Sequence, residues 1–385
     1  MGISCVFSSK PVNILELLTT QTYSLISMNS FCYFAYFVNH FSRLVNRVLE
    51  YFLGASSGIL IAILFFSSIG HAQDKDYVTV KKSMTLMGSR FDITVVSVDE
   101  ELGYINIQEA AGEIRRIEKL ISSWDSDSET SLINENAGIK PVKVSLELFK
   151  LIERSKQISE ITNGAFDITF AGMEAIWSFD GSMTAMPTKS QILKAKTNIG
   201  YEKIVLDATD QSVFLSGKGM RISFGAIGKG YAADKAKELL VSKQVVAGVI
   251  NAAGDITTWG KKISGEKWLI GIANPLSKDT IFSWIPILES SVATAGNSER
   301  FVSINGTKYA DLINPKTGYP ASGINSVSVF AKSAELCDAL ATAIMIMGID
   351  EGLALVNQLG GTEAIIVDAD NKLVKSSGIL LDEMP

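Results

Sequence analysis

Residues 222–234 read Ile-Ser-Phe-Gly-Ala-Ile-Gly-Lys-Gly-Tyr-Ala-Ala-Asp, and the fold turns on how they are taken. Gly219 to Phe224 alternates in the way of a half-buried strand. Tyr231 to Leu240 carries its charge on one face, as a packed helix does. Gly225, Gly228 and Gly230 stand between them. Glycine tolerates positive φ and lets backbone amides come close to a ligand. A helix N-terminus after such a turn suits a phosphate group, and Lys229 adds a positive charge. The stretch reads as a diphosphate cradle or as an ordinary strand–helix turn. It is not a P-loop: Ser223 stands where that motif has its first Gly, and Gly230 where it has Ser or Thr. Nor is it the dinucleotide pattern G-x-G-x-x-G.

Working outward, the segments before this stretch predict a hairpin over Val78 to Val98, turning at Met87-Gly88-Ser89. A helix over Glu100 to Ile121 follows, and then a polar loop from Ser122 whose one large apolar residue is Trp124. That indole either anchors the loop to the body or offers a platform for a flat ring. A second helix runs from Ser145 to Glu160, ending at Thr162-Asn163-Gly164. Asp167 then sits between apolar neighbours and needs a hydrogen-bonding partner if buried. A short helix at Lys189–Lys196 leads into three strands, Lys203–Asp207, Ser212–Ser216 and Gly219–Phe224.

Beyond the central stretch, Ala247–Ile256 reads as a buried strand ending in a small-residue turn, with Asn251 and Asp255 as its polar groups. Strands are expected at Lys267–Ala273 and Trp284–Leu288, and another begins at Ser291 and runs into a polar turn before Phe301. Asn305-Gly306 signals a hairpin. Asp311 to Pro320 is rich in turn residues, and Val327–Ala331 is a strand. Ala334 to Gly348 is a mostly apolar helix, followed by a helix at Glu351–Gln358 and strands at Glu363–Asp368 and Lys372–Lys375. Long antiparallel stretches with inserted helices predict an α+β fold rather than an alternating βαβ sheet.

The 385 residues are 47% hydrophobic with a formal charge of −6, which argues against nucleic acid as a partner. Residues 1–72 do not read as fold. Gly54 to Gly70 is an uncharged apolar run, preceded by Arg43 and Arg47 and followed by His71-Ala72. This is the layout of a secretory signal with its core at about 44–72; a retained anchor is the alternative. The expected mature chain, 73–385, is a single domain or two intimate lobes, exported across a membrane. Both histidines, His40 and His71, and two of three cysteines, Cys5 and Cys32, lie in the leader. The mature chain then has no His-based triad, His-ligated zinc or internal disulfide. No Cys ends the apolar run, so no lipid anchor is expected.

The apolar helix carries the sharpest oddity. Asp338 and Thr342 are its polar side chains after Glu335 and, four apart, share one face. A bound divalent cation would offset a buried carboxylate there, and carboxylate, hydroxyl and backbone carbonyl form a hard-oxygen set suited to Mg²⁺ or Ca²⁺. The plain alternative is that Thr342 bonds to its own helix and Asp338 pairs with a Lys or Arg.

Taken in order, the segments MGSRF, ISSWDSDSETSLINENAG, TNGAFDITF, ISFGAIGKGYAAD, INAAGDI, VATAGNSERF, INPKTGYP and SAELCDALATAIMIMG are familiar. Over about Met84 to Gly348 the chain resembles the FAD:protein FMN transferase family, also called ApbE. The resemblance implies an ApbE-like, T-fold-related domain. It implies an exported enzyme, periplasmic or associated with the inner membrane, that uses Mg²⁺ to transfer FMN from FAD to a Thr hydroxyl of a flavoprotein, releasing AMP. The usual acceptors are subunits of sodium-pumping or electron-transporting membrane complexes. An FAD pyrophosphatase giving FMN and AMP, or a non-catalytic flavin-binding protein, is the alternative. By motif position the resemblance assigns FAD binding to Met87, Trp124, Ala165, Phe166, Asp167, Ser223 and Lys229, and Mg²⁺ to the Ala226 carbonyl, Asp338 and Thr342. It departs at two places. The family often has Asp where this chain has Ser223, and commonly has His where it has Asp311. Asp311 is the candidate base, with Lys229 beside the diphosphate.

Overall fold

The computed structural model describes residues 4–5 and 76–380, apart from 174–175, 181, 275–276, 297–300 and 305–306. The chain divides into two compact units, one of Met1–Ser9 with Tyr77–Pro385 and one of Lys10–Asp76. The apolar run of the expected leader, and the polar turn before Phe301, lie outside the described residues.

From Tyr77 the larger unit runs into the expected hairpin, β1 (Val78–Leu86) and β2 (Ser89–Ser97), with Leu86 opposite Ser89. Met87 and Gly88 take φ of 51° and 67°, the left-handed pair that matches a two-residue turn to the strand twist. Helix α1 (Glu100–Ile121) starts at Asp99, whose carboxylate accepts from the Leu102 N–H. Its buried residues Ile107, Ala110, Ile114, Ile117 and Ile121 recur at helical spacing and form the stripe that packs inward. Helices α2 (Glu129–Glu135), α3 (Leu146–Ile161) and α4 (Lys189–Lys196) follow, with the short strands β3 (Val142–Lys143), β4 (Ile204–Asp207) and β5 (Ser212–Leu215) in a separate three-stranded sheet.

Helix α5 (Gly228–Ser242) leads to the hairpin β6 (Ala247–Ala252) and β7 (Asp255–Trp259). A ribbon comes next, β8 (Trp268–Asn274) paired with β9 (Ser277–Ile287), a longer pairing than the sequence pattern predicts. Strand β10 (Ser291–Gly296), the hairpin β11 (Phe301–Ile304) and β12 (Thr307–Ala310), and β13 (Ile324–Ala331) precede helices α6 (Ala334–Met347) and α7 (Ile349–Gln358). Strands β14 (Glu363–Asp368) and β15 (Leu373–Lys375) follow.

Among the described residues eight strands make one antiparallel sheet in the order β15-β14-β13-β10-β7-β6-β2-β1. Helices α1, α5 and α6 lie side by side on one face. Along each strand the side chains of opposite parity point the other way. There Val96, Ala247, Ile256, Val292, Phe330 and Ile365 are buried with Trp268, Ile270, Ile285 and Ile287 of the β8–β9 ribbon. With both faces covered, even hydroxyl residues such as Thr257 and Thr258 lie in the interior. The fold is α+β, as the sequence pattern predicts.

Two expectations fail at the central stretch. Gly219–Phe224 forms no strand. Its alternation is real, for Met220, Ile222 and Phe224 are buried, but its backbone bonds elsewhere. The Asn134 amide accepts from Ile222 N at 2.7 Å and donates to Ile222 O at 3.0 Å, while Ser223 N donates to Ile168 O at 2.9 Å. The following helix starts at Gly228, three residues earlier than predicted, and its glycines do not take positive φ. They serve close packing. A Cβ on Gly228 would stand 2.7 Å from Ile121 Cδ1, and one on Gly230 only 2.2 Å from the Ala334 carbonyl oxygen.

Candidate active site

The contact at Gly230 brings the first turn of α5 against the first turn of α6. Each helix caps the other. Ile227, before α5, gives no side-chain cap, yet Asp338 Oδ2 on α6 accepts from the Gly230 N–H at 3.2 Å. In return Asp234 Oδ2 on α5 accepts from Glu335 N at 2.9 Å and Ser333 Oγ at 2.8 Å, at the start of α6. Carboxylates are favourable at helix N-termini because the orphan N–H groups carry partial positive charge. Burial nonetheless pushes the Asp234 carboxyl up from its ordinary value.

Lys229 projects from the same turn between two buried acids. Its Nζ lies 2.7 Å from Asp255 Oδ2 and 3.6 Å from Asp338 Oδ2. Asp255 is 4% exposed and Asp338 6%, while the lysine side chain is 28% exposed and so opens towards solvent. Burial first, and the neighbouring Asp338 second, push the Asp255 carboxyl well above the usual carboxylate range, and Lys229 opposes both. Asp255 is the residue that sequence reasoning did not assign. It lies 26 residues from Lys229 and 83 from Asp338 along the chain, so no helical or strand periodicity links them.

Met87 and Trp124 differ in burial. Met87, in the β1–β2 turn, packs partly on the main core, and its Cε would stand 3.7 Å from a Cβ on Gly228. Trp124 is 80% exposed. Its loop is held instead by Ser122, whose hydroxyl accepts from Trp124 N and Asp125 N, and by Arg221 donating to Ser123 O. The loop-anchor reading of this indole therefore fails. Ala165 and Phe166 are buried in the main core. Asp167, 5% exposed, accepts from Thr169 N, Thr169 Oγ1 and Tyr201 N at 2.7–2.9 Å. Burial raises its pKa, against those three donors. The partners that Asp167 requires are internal.

Ser223 is half-buried and is tied through its N–H to Ile168, which joins the Asp167 segment to the central stretch. Ala226 is half-buried in the turn just before α5. Thr342 is half-buried one turn beyond Asp338 on α6. Asp311, also half-buried, follows β12 and opens the Asp311–Pro320 turn. That turn is docked by Trp177 Nε1, which donates to Gly318 O at 3.0 Å. Asp311 thus stands on a different element from the Lys229 cluster.

Among the described residues no three or more His, Cys, Asp or Glu side chains gather as a metal site. A cation here would need a mixed set of carboxylate, hydroxyl and carbonyl. The donor chemistry fits a hard divalent ion. Two buried carboxylates against one ammonium leave net negative charge when all are ionised, which such an ion would offset.

The model of the ApbE family matches residues 87–366. The chain is 28% identical over 343 residues to an FAD:protein FMN transferase of Treponema pallidum (strain Nichols), covering 84% of this chain and 93% of that protein. It is 30% identical over 297 residues to one from Klebsiella pneumoniae (strain 342), covering 77% and 91%. Among solved structures it resembles the ApbE protein of Thermotoga maritima, with a TM-score of 0.72 and 28% identity over 78% of this chain and 97% of that one. The flavin transferase ApbE from Vibrio cholerae shares the fold, with a TM-score of 0.70 at 23% identity, covering 78% and 98%.

Proposed function

The chain belongs to the ApbE family, and on that premise we propose that it is a flavinyltransferase that moves FMN from FAD to a Thr hydroxyl of an exported or membrane flavoprotein, with Mg²⁺, releasing AMP. The relatives that carry the name FAD:protein FMN transferase support the flavin and the protein acceptor. The observation that carries the chemistry is the Lys229–Asp255–Asp338 cluster at the α5–α6 junction. Asp338, Thr342 and the Ala226 carbonyl would hold Mg²⁺, which when bound supplies charge neutralisation for a diphosphate.

Lys229 faces the open side of the cluster and offers an ammonium to a phosphate oxygen. Met87 and the exposed Trp124 bound the flavin or adenine end, where an indole face left in solvent has area to stack on a flat ring. Ser223 contributes a hydroxyl beside them. Asp311 takes the proton from the acceptor hydroxyl. Asp167, Ala165 and Phe166 shape the wall: the carboxylate of Asp167 is occupied by Thr169 and Tyr201 and fixes their backbone rather than reaching outward.

The test is to incubate the protein with FAD, Mg²⁺ and an acceptor domain bearing a Thr, and to view a denaturing gel under ultraviolet light. A fluorescent acceptor band is expected. Free FMN and AMP with an unlabelled acceptor would make it a pyrophosphatase; intact FAD would leave only flavin binding.

A further inference from the structure

The cluster contains one more carboxylate than the proposed Mg²⁺ set uses. Asp255 opens β7, at the end of a turn that is built with care. Asn251 Oδ1 accepts from Gly254 N at 2.8 Å, and Ala253 N donates to Arg90 O at 3.0 Å. Ala253 and Gly254 both take positive φ, 54° and 107°. For alanine that conformation is unfavourable and persists only where the surroundings over-determine it. The turn sets Asp255 under the first turn of α5. No backbone amide or hydroxyl among the described residues donates to its Oδ2, and the Lys229 ammonium faces that oxygen at 2.7 Å.

Lys229 has a second acid within reach, Asp338, at 3.6 Å. Ion-pair attraction falls with distance, and in a dry setting the shorter pair dominates. Without the Asp255 charge the ammonium would have Asp338 as its nearest counterion, and would then compete with any cation for that carboxylate.

We propose that Asp255 is a positioning residue that holds the Lys229 ammonium away from Asp338, keeping Asp338 available to a divalent cation and Lys229 aimed at the substrate. This rests on the metal reading above. It makes Lys229 a built-in rival of the metal, restrained by a buried acid supplied from the sheet.

Calorimetric titration of the full chain with Mg²⁺, without FAD, tests it. Asp255→Asn is expected to weaken Mg²⁺ binding by roughly 10–100-fold, the usual cost of losing a group that orients a metal site. Adding Lys229→Met to Asp255→Asn is expected to restore the affinity of Lys229→Met alone, because the rival is gone. If the double variant stays as weak as Asp255→Asn, Asp255 ligates the metal directly and the proposal falls. An unchanged affinity in Asp255→Asn overturns it too, even with a lowered melting temperature, which would mark a purely structural residue. Should Asp255→Asn fail to fold, Asp255→Glu is read in the same way: a shift in Mg²⁺ affinity that Lys229→Met abolishes supports the proposal, and no shift overturns it. Failure of the unchanged protein to bind Mg²⁺ would sink the metal reading itself, a result distinct from every variant outcome.

Discussion

Glu335 and Asp338 stand three residues apart on α6, and their carboxylates have opposite surroundings. Glu335 is gripped by Arg154 in a two-pronged pair at 2.8 and 3.0 Å. The same guanidinium lies 5.6 Å from the centre of the Tyr231 ring, and the Tyr231 hydroxyl donates to Glu147, itself paired with Arg116. Each acid there has a planar cation whose geometry matches it. Asp338 has instead a lysine shared with Asp255, and the lysine lies closer to the other acid. The first arrangement is closed and holds α3, α5 and α6 together. Among the described residues the second sets one ammonium against two carboxylates and is open on one side. Fold and chemistry are thus divided between two clusters within one turn of helix.

The largest expected effect is on the open cluster. Asp338→Asn should weaken Mg²⁺ binding by at least about a hundredfold, since it removes a proposed ligand rather than a supporting group. It should not lower the urea midpoint, because Asn still accepts from the Gly230 N–H and a buried charge has gone. A large loss of stability would break the comparison.

Gly230→Ala should strike both clusters at once. A Cβ there meets the Ala334 carbonyl carbon and oxygen, which are backbone and cannot swing away. Destabilisation of about 1–3 kcal/mol is expected, as for other overpacked contacts, with FMN transfer falling as α5 and α6 separate. Urea unfolding and the gel assay read the two effects. Wild-type behaviour in both would mean that the helices have more room than the contact indicates.

Arg154→Met should act on the closed cluster alone. It leaves Glu335 without its partner at a part-buried site, at a cost of about 1–2 kcal/mol in urea unfolding. Mg²⁺ affinity should stay that of the unchanged chain; a change there would join the clusters that the comparison separates.

The smallest effect is a pH dependence. The Arg116 guanidinium, aided by the Tyr231 hydroxyl, holds the Glu147 carboxyl below its ordinary 4.5. A depressed carboxylate contributes stability that is full above the ordinary value and lost as pH falls through the lowered one. The melting-temperature gap between the unchanged chain and Glu147→Gln should therefore exist near neutrality and close as pH drops below 4.5. Because Arg116 is nearly half exposed, the gap should correspond to less than about 1 kcal/mol.

Periodicity made most of this fold legible. The α1 stripe, the Met87-Gly88 turn and the apolar α6 all follow from spacing and turn chemistry, which act locally. Gly219–Phe224 shows where that stops. Alternating burial reports which side of a segment faces the core; it does not report who takes the backbone hydrogen bonds, and here Asn134 and Ile168 take them. Gly228 and Gly230 teach a similar lesson, for both pack against a neighbouring helix. A small residue required by a neighbouring helix is indistinguishable, in one sequence, from one required by a ligand. In the site, Asp338 and Thr342 announced themselves as polar groups on an apolar helix. Asp255 did not, because its meaning comes from two residues that are neighbours only after folding.

The mutual capping of α5 and α6 has a consequence for observing this protein at work. The Gly230 amide donates to the same Asp338 oxygen that lies nearest Lys229. Any cation or proton that draws charge from that oxygen weakens the bond to Gly230, and the amide sits in a buried turn where little else disturbs it. The backbone N–H of Gly230 is thus an intrinsic probe of occupancy, its chemical shift and exchange rate reporting from inside the site without a label.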